Sequence, residues 1–213
     1  MNVTVFGAAG KIGRLVVAQL LAQGHEVTAV VRDRSTPETG AARPAVVEAN
    51  LSDESRLRAA IAGRDAIISA LGPPLKRSTG GTPLTDGTAL IVRIMREEGV
   101  LRFIGLATPS IPDPRDKPHW KHKILPVIAG LAFPGALAEI RGMTAAVTTA
   151  PDLDWTIVRI TNPTDKAPTG RIRSGFLGHT PIGSAMSRSD IAAFLTSQLN
   201  DTRYLNTAPA VSN

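Results

Sequence analysis

The chain has 213 residues, 43% of them hydrophobic, which supports a sizeable buried core and excludes an extended disordered chain. It contains no cysteine, so disulfides, thiolate nucleophiles and cysteine-ligated zinc are excluded. The formal charge of +6 suits a phosphate-rich ligand, nucleic acid or an acidic surface, and equally a plain composition bias, because no run of five or six basic residues occurs.

Val3–Phe6 is a short apolar strand. Lys11–Gln23 follows with helical spacing at Ile12, Val16, Leu20 and Leu21, and Gly24 stops it. Val27–Val31 and the weaker Ala45–Glu48 read as the second and third strands. Ser52 is placed to cap a helix over Asp53–Ala62, closed by Gly63. Ala66–Ala70 is a fourth strand, Thr88–Glu98 a helix ended by Gly99, and Leu101–Leu106 a fifth strand. Strands that are apolar throughout and separated by helices imply a parallel sheet covered on both faces. The fold class expected is therefore α/β, a doubly wound parallel sheet of the Rossmann type, in one domain over residues 1–213. Ligands of such sheets lie outside the carboxyl ends of the strands, so the loops after Phe6, Val31, Ala70 and Leu106 should share one edge.

The second half is less regular. Thr108–Pro118 is rich in proline and charge and reads as a loop over the site. His119–Leu131 and Leu137–Thr149 read as helices, and Asp154–Arg159 as a strand. Asn162–Gly183 is rich in Gly, Pro and Thr and reads as irregular with one short hairpin. Ser189–Asn200 is a helix capped by Ser187 or Ser189, and Tyr204–Thr207 a last strand. Residues 108–150 and 161–187 are thus expected on the substrate side. The apolar run Ile124–Leu137 is broken by Pro126 and Pro134 and is too short to span a bilayer. No leader-like segment opens the chain, and a cytoplasmic location without a membrane partner is expected.

The strongest motif is Gly7-Ala8-Ala9-Gly10-Lys11-Ile12-Gly13, placed between a strand and an amphipathic helix. That context gives the G-x-x-G-x-x-G spacing a mechanism. Gly7 permits the sharp exit from the strand, Gly10 a close approach to a pyrophosphate, and Gly13 tight packing of helix on sheet. The helix N-terminus presents unsatisfied N–H groups to the anion, and Lys11 adds charge. The second strand ends in Val31-Arg32-Asp33-Arg34. Arg32 and Arg34 suit the 2′-phosphate of NADP(H), whereas an acid here would favour NAD(H); a register shift of one turns Asp33 to the ribose. NADP(H) is expected, with NAD(H) the weaker reading. Direct nucleic-acid binding is not expected, since aromatic residues are only 4% and no helix-turn-helix or zinc module is evident.

These residues resemble the atypical short-chain dehydrogenase/reductase superfamily, in its NmrA-like and flavin/biliverdin-IXβ reductase-like branch. The likeness extends through Asn50-Leu51-Ser52-Asp53, Asp65–Gly72, Leu153–Arg159, Pro168-Thr169-Gly170 and Ser187–Ala192. It implies that Leu51, Ser52 and Asp53 lie along the adenine, and that Ala70, Leu71 and Gly72 pass under the ribose and pyrophosphate. Ala9 and Ile12 join the cradle. Thr108 to Ser110 would sit near the nicotinamide, and Ile160, Thr161 and Asn162 would close over its ring. Ordinary members carry a Tyr-x-x-x-Lys pair. Here the one tyrosine, Tyr204, has no lysine four residues on, so that dyad is absent. The branch's serine place falls on Pro109, next to Ser110, and its histidine place on Asn162.

Candidate proton donors are thus Thr108, Ser110 and Asn162, with His119, Lys121 and His122 as further polar groups. No metal is expected. Two functions follow as expectations: NADPH-dependent hydride transfer to a flavin, quinone or other conjugated small molecule, or a non-catalytic NADP(H) sensor with a protein partner.

Overall fold

The structure, a computed structural model, describes residues 1–33, 43–74, 81–117 and 132–213. The alternation of apolar runs and amphipathic segments produces β1 (Asn2–Phe6), α1 (Lys11–Ala22), β2 (Glu26–Val31), β3 (Ala45–Glu48), α2 (Glu54–Ile61), β4 (Ala66–Ser69), α3 (Pro83–Glu97) and β5 (Arg102–Ala107). The remainder comprises α4 (Pro134–Thr148), β6 (Asp154–Ile160), β7 (Asn162–Thr164), β8 (Arg173–Gly175), β9 (Ala185–Ser187), α5 (Arg188–Ser197) and β10 (Ala210–Ser212). The expected helix over His119–Leu131 lies outside the described residues.

The main sheet runs β3-β2-β1-β4-β5-β6-β10-β8. All its pairs are parallel except β10 with β8, which closes the edge antiparallel. Alternate side chains divide the core in two, as the period of a strand requires. Val3 and Val5 of β1, Ile68 of β4 and Ile104 of β5 pack with α1 and α5. Phe6, Ile67 and Phe103 of the same strands pack with α2, α3 and α4. Each such buried side chain contributes about 1.5–3 kcal/mol relative to exposure, so both faces need helices. This is the doubly wound arrangement.

Several local expectations change. Asp53, not Ser52, caps α2: its carboxylate accepts from the Arg56 amide, and the helix starts one residue later than expected. Helix α3 starts at Pro83 rather than Thr88. Proline is compatible with the first turn, and a residue distant in sequence completes the start. The Glu139 carboxylate accepts from the amides of Leu84 (3.0 Å) and Thr85 (2.8 Å) and from the Thr85 hydroxyl (2.7 Å). Glu139→Ala would leave these α3 donors without that acceptor at a carboxylate only 1% exposed. A stability loss of about 1–3 kcal/mol is expected in urea unfolding, while Glu139→Gln should recover part of it.

The expected hairpin within Asn162–Gly183 does not form. β7 pairs in parallel with β9, and β8 with β10, so neither strand takes a local partner. Tyr204–Asn206 is a turn rather than a strand, with Asn206 at a φ of +52° and its amide donating to the Trp155 carbonyl, and only Thr207 pairs with β6, as an isolated parallel bridge to Thr156. The last strand is β10, whose residues are all buried. Of the two cap candidates for α5, Ser187 is the one used. Its hydroxyl accepts from the Asp190 amide at 3.0 Å and donates to the Asp190 carboxylate at 2.8 Å.

Candidate functional site

The exit from β1 is built around three glycines. Gly7 has a φ of +71°, a left-handed conformation that disfavours any β-carbon. A β-carbon there would also lie 3.0 Å from the backbone of Ala70. That neighbour is fixed, because the Ala70 amide donates to the Phe6 carbonyl at 3.0 Å, extending the β1–β4 pairing by one residue. The Gly10 amide donates back to the Gly7 carbonyl at 3.0 Å, and Arg14 N–H reaches the Gly10 carbonyl at 2.9 Å. Gly13 lies directly beneath: its β-carbon would meet the Gly7 carbonyl oxygen at 2.1 Å.

Gly10 is the N-cap of α1 and has no side chain to satisfy the first amides. The first turn carries no acid. The Lys11, Ile12 and Gly13 N–H groups therefore stand at a helix start suited to an anion.

This turn opens on a cavity of about 770 Å³ at the carboxyl edge of the sheet. The volume falls within the range of about 300–1,000 Å³ usual for small-molecule sites. Its walls come from the start of α1 (Gly10, Lys11, Ile12), the exit of β4 (Ala70, Leu71, Gly72), the exit of β5 (Thr108, Pro109) and the exit of β6 (Ile160, Thr161, Asn162). Ile140 and Met143 of α4, with Leu177 and Ile182, complete an apolar far wall. The four β-strand exits are thus gathered around one space, as a parallel sheet arranges them.

The remaining predicted residues lie around it. Gly7, Ala9 and Gly13 form the turn itself. Ser110 stands behind Thr108, 5% exposed, with the two hydroxyl oxygens 2.6 Å apart. Such a pair can hold a proton at the cavity wall, with either hydroxyl as donor. Arg32 leaves β2 exposed, and Arg34 lies outside the described residues together with His119, Lys121 and His122. Leu51 packs over Gly87 of α3, where an added β-carbon would lie 2.5 Å from its own. Ser52 is exposed, and Asp53 is engaged as the α2 cap. Tyr204 is 6% exposed in the core, its ring against Phe176 and Phe194 and its hydroxyl on Ser174. The single tyrosine is therefore structural.

The loop after β5 is pinned by an ion pair in which Arg159 takes the structural role open to it in the sequence, with acidic partners the sequence did not single out. Arg159, fully buried on β6, donates two hydrogen bonds to Asp116, at 2.5 and 2.7 Å, and one to the Ile111 carbonyl. Asp116 also accepts from the Asp113 and Leu177 amides. Asp113, 6% exposed, accepts from the Ala208 amide at 2.7 Å. These contacts set Thr108, Pro109, Ile160 and Leu177 at fixed positions around the cavity.

Two cations at the cavity wall, Lys11 and Arg188, share the carboxylate of Asp165, at 2.9 and 2.6 Å. The Lys11 ammonium, and after it the Arg188 guanidinium, hold the Asp165 carboxyl below the usual carboxylate range despite partial desolvation. Arg188 and Asp165 were not singled out in the sequence, because their partner groups are remote along the chain. Among the described residues, no group of three or more His, Asp or Glu could hold a metal ion, and no helix is long and apolar enough to cross a membrane.

Comparison with known proteins agrees with this geometry. A 3-diazoavenalumate denitrifying reductase from a Streptomyces species is 33% identical over 153 residues, covering 67% of this chain and 49% of that protein. An uncharacterized protein of Mycobacterium tuberculosis is 31% identical over 104 residues, covering 49% of this chain and 12% of its own length. The chain thus spans half or less of these curated relatives. Among solved structures, an anaerobillin reductase from Escherichia coli O157:H7 has a TM-score of 0.76 at 21% identity, with 100% of this chain and 97% of that one covered. A short-chain dehydrogenase/reductase from Veillonella parvula, in complex with NADP, has a TM-score of 0.77 at 20% identity, with coverage of 100% and 94%. These two likenesses show the fold. Residues 7–202 match the NAD(P)H-binding family. With its glycine turn, parallel sheet and edge cavity, the chain belongs to this NAD(P)H-binding family.

Proposed function

We propose that the protein is an NADPH-dependent reductase acting on a flavin, quinone or other conjugated small molecule. The observation that carries this reading is the continuity between the glycine turn and the apolar cavity. A dinucleotide held at the α1 start would extend past Ala70–Gly72 towards Thr108 and Asn162, with the far wall left for an acceptor. The turn fits such a group: β-carbons are excluded at Gly7 and Gly13, and the first α1 amides lack a side-chain cap. When bound, the nicotinamide supplies the hydride, and the protein supplies orientation and electrostatics.

The chain's own residues then have distinct tasks. Gly10, Lys11 and Ile12 receive the pyrophosphate. Ile160 and Thr161 limit water at the ring, and the described parts of residues 108–150 and 161–187 form the substrate side. The Thr108–Ser110 pair and the Asn162 amide offer polar contacts to a reducible group. An acceptor with its own electron sink needs no strong protein acid, which suits a site without Tyr-x-x-x-Lys.

NADP(H) is favoured over NAD(H) because Arg32 follows β2 and, among the described residues, meets no carboxylate. The Streptomyces relative is named as a reductase and the Veillonella neighbour holds NADP, which supports the same direction. The burial of Tyr204 also favours a second reading, a non-catalytic NADP(H) sensor with a protein partner.

Titration with NADPH, NADP⁺, NADH and NAD⁺, followed by NADPH consumption with flavin and quinone acceptors, separates these readings. Preferential NADPH binding with turnover is expected. Tight binding without turnover would favour the sensor, and no dinucleotide binding would overturn both. Arg32→Ala should weaken NADPH binding about tenfold or more, the loss of a charge-assisted phosphate contact, with a much smaller effect on NADH.

A further inference from the structure

The cations around the glycine turn are not equivalent. Lys11 is engaged by Asp165. Arg14, in the first turn of α1, is exposed, and its Nε donates to the Ala9 carbonyl at 2.9 Å. Among the described residues it forms no ion pair. A guanidinium has five donors in a planar fork. Using Nε within the turn leaves the end-on pair, Nη1 and Nη2, directed away from Ala9 and available for a bidentate anion contact.

The sheet order gives this guanidinium its meaning. β1 lies between β4 and β2. On the β4 side, Ala70–Gly72 line the cavity; on the other side, β2 ends and Arg32 follows. Neither Arg14 nor Arg32 lines the cavity. Both belong to the neighbourhood of the β1 turn and the β2 exit, the flank left for the adenosine half when the other half occupies the cavity.

We propose that Arg14 is a second specificity determinant for the 2′-phosphate of NADP(H), its end-on fork joining Arg32 on one phosphate. This rests on the dinucleotide reading above and deepens it. A ribose 2′-phosphate carries up to two charges and three acceptor oxygens, enough for two guanidinium groups. The bond to Ala9 already orders the Arg14 side chain, so less rotamer freedom is lost when the phosphate arrives. A purely structural Arg14, stapling the Ala9 carbonyl, would instead affect every dinucleotide alike.

NADP⁺ and NAD⁺ differ only by this phosphate, and calorimetric titration of both tests the assignment. Arg14→Gln should weaken NADP⁺ binding about tenfold, as expected for one charge-assisted contact, and leave NAD⁺ affinity within about twofold. Arg14→Lys should recover part of the loss, because charge returns without the fork. Unchanged NADP⁺ affinity, or equal losses for both ligands, would overturn the role of Arg14 while leaving Arg32 and the NADP reading intact. A wild-type protein that does not distinguish NADP⁺ from NAD⁺ would overturn both.

Discussion

Gly13→Ala is expected to eliminate measurable dinucleotide binding and to destabilise the fold. The added β-carbon would stand 2.1 Å from the Gly7 carbonyl oxygen, 2.8 Å from its carbon and 2.9 Å from the Ala8 α-carbon. All three are backbone atoms, so no side-chain rotation relieves the clash. Helix α1 must move away from the β1 turn, and overpacking of this kind costs about 1–3 kcal/mol or more. The same carbonyl accepts from the Gly10 amide, so the movement also disturbs the residue that caps the helix.

Gly10→Ala provides the contrast. Gly10 has an ordinary φ of −72°, and its β-carbon would lie 3.2 Å from the Gly7 oxygen, a tight contact rather than a collision. This variant should keep most of its stability, whereas Gly10→Val should keep the fold and lose the dinucleotide, because bulk enters the anion approach. Urea unfolding and NADPH titration on the same samples check all three. Wild-type affinity in Gly13→Ala would show that the turn does not depend on this close approach.

Much of this geometry was legible because its causes are local. The positions of β1, α1 and β2 follow from apolar spacing and from Gly24, and the strand-turn-helix context identified the glycine turn. The loops after β1, β4 and β5 converge because parallel strands share one carboxyl edge, while the place of Ala70–Gly72, Thr108 and Ile160–Asn162 around one ligand was implied by the family resemblance. What could not be read depends on partners distant in sequence. Glu139 caps α3 from another helix and moves its start from Thr88 to Pro83. β7 and β8 each pair with a strand that comes much later, so a hairpin was expected where none forms. Asp165 joins Lys11 only after more than half the chain has folded between them. Arg14 was missed for a different reason: an arginine in a first helical turn reads as a solvated charge until its bond to Ala9 is seen.

Asp116→Ala is expected to cause the largest loss of stability among single side-chain truncations near the site. Arg159 is fully buried in the folded chain, and Asp116 is its only carboxylate among the described residues. Removing it leaves an uncompensated buried guanidinium, a change that typically costs about 3–5 kcal/mol. The Leu177 and Asp113 amides lose their acceptor as well. The cavity should suffer with the fold, since Asp116 ties the loop carrying Thr108 to the strand that ends at Ile160.

The pH dependence follows from the same contacts. Burial would raise the Asp116 carboxyl, but the Arg159 guanidinium and the two amides outweigh it and hold the group below the usual carboxylate range. A carboxyl lowered on folding contributes stability that is complete above its unfolded value, about 3.9, and is lost as pH falls through the folded value. The wild type should therefore exceed Asp116→Ala most at neutral pH, with the gap narrowing below about pH 4. Asp116→Asn keeps an acceptor for Leu177 but not the charge, and should fall between the two. Urea midpoints from pH 3 to pH 7 test this: a gap between wild type and Asp116→Ala that stays constant across the range would mean that the pair does not set the position of the loop through its charge.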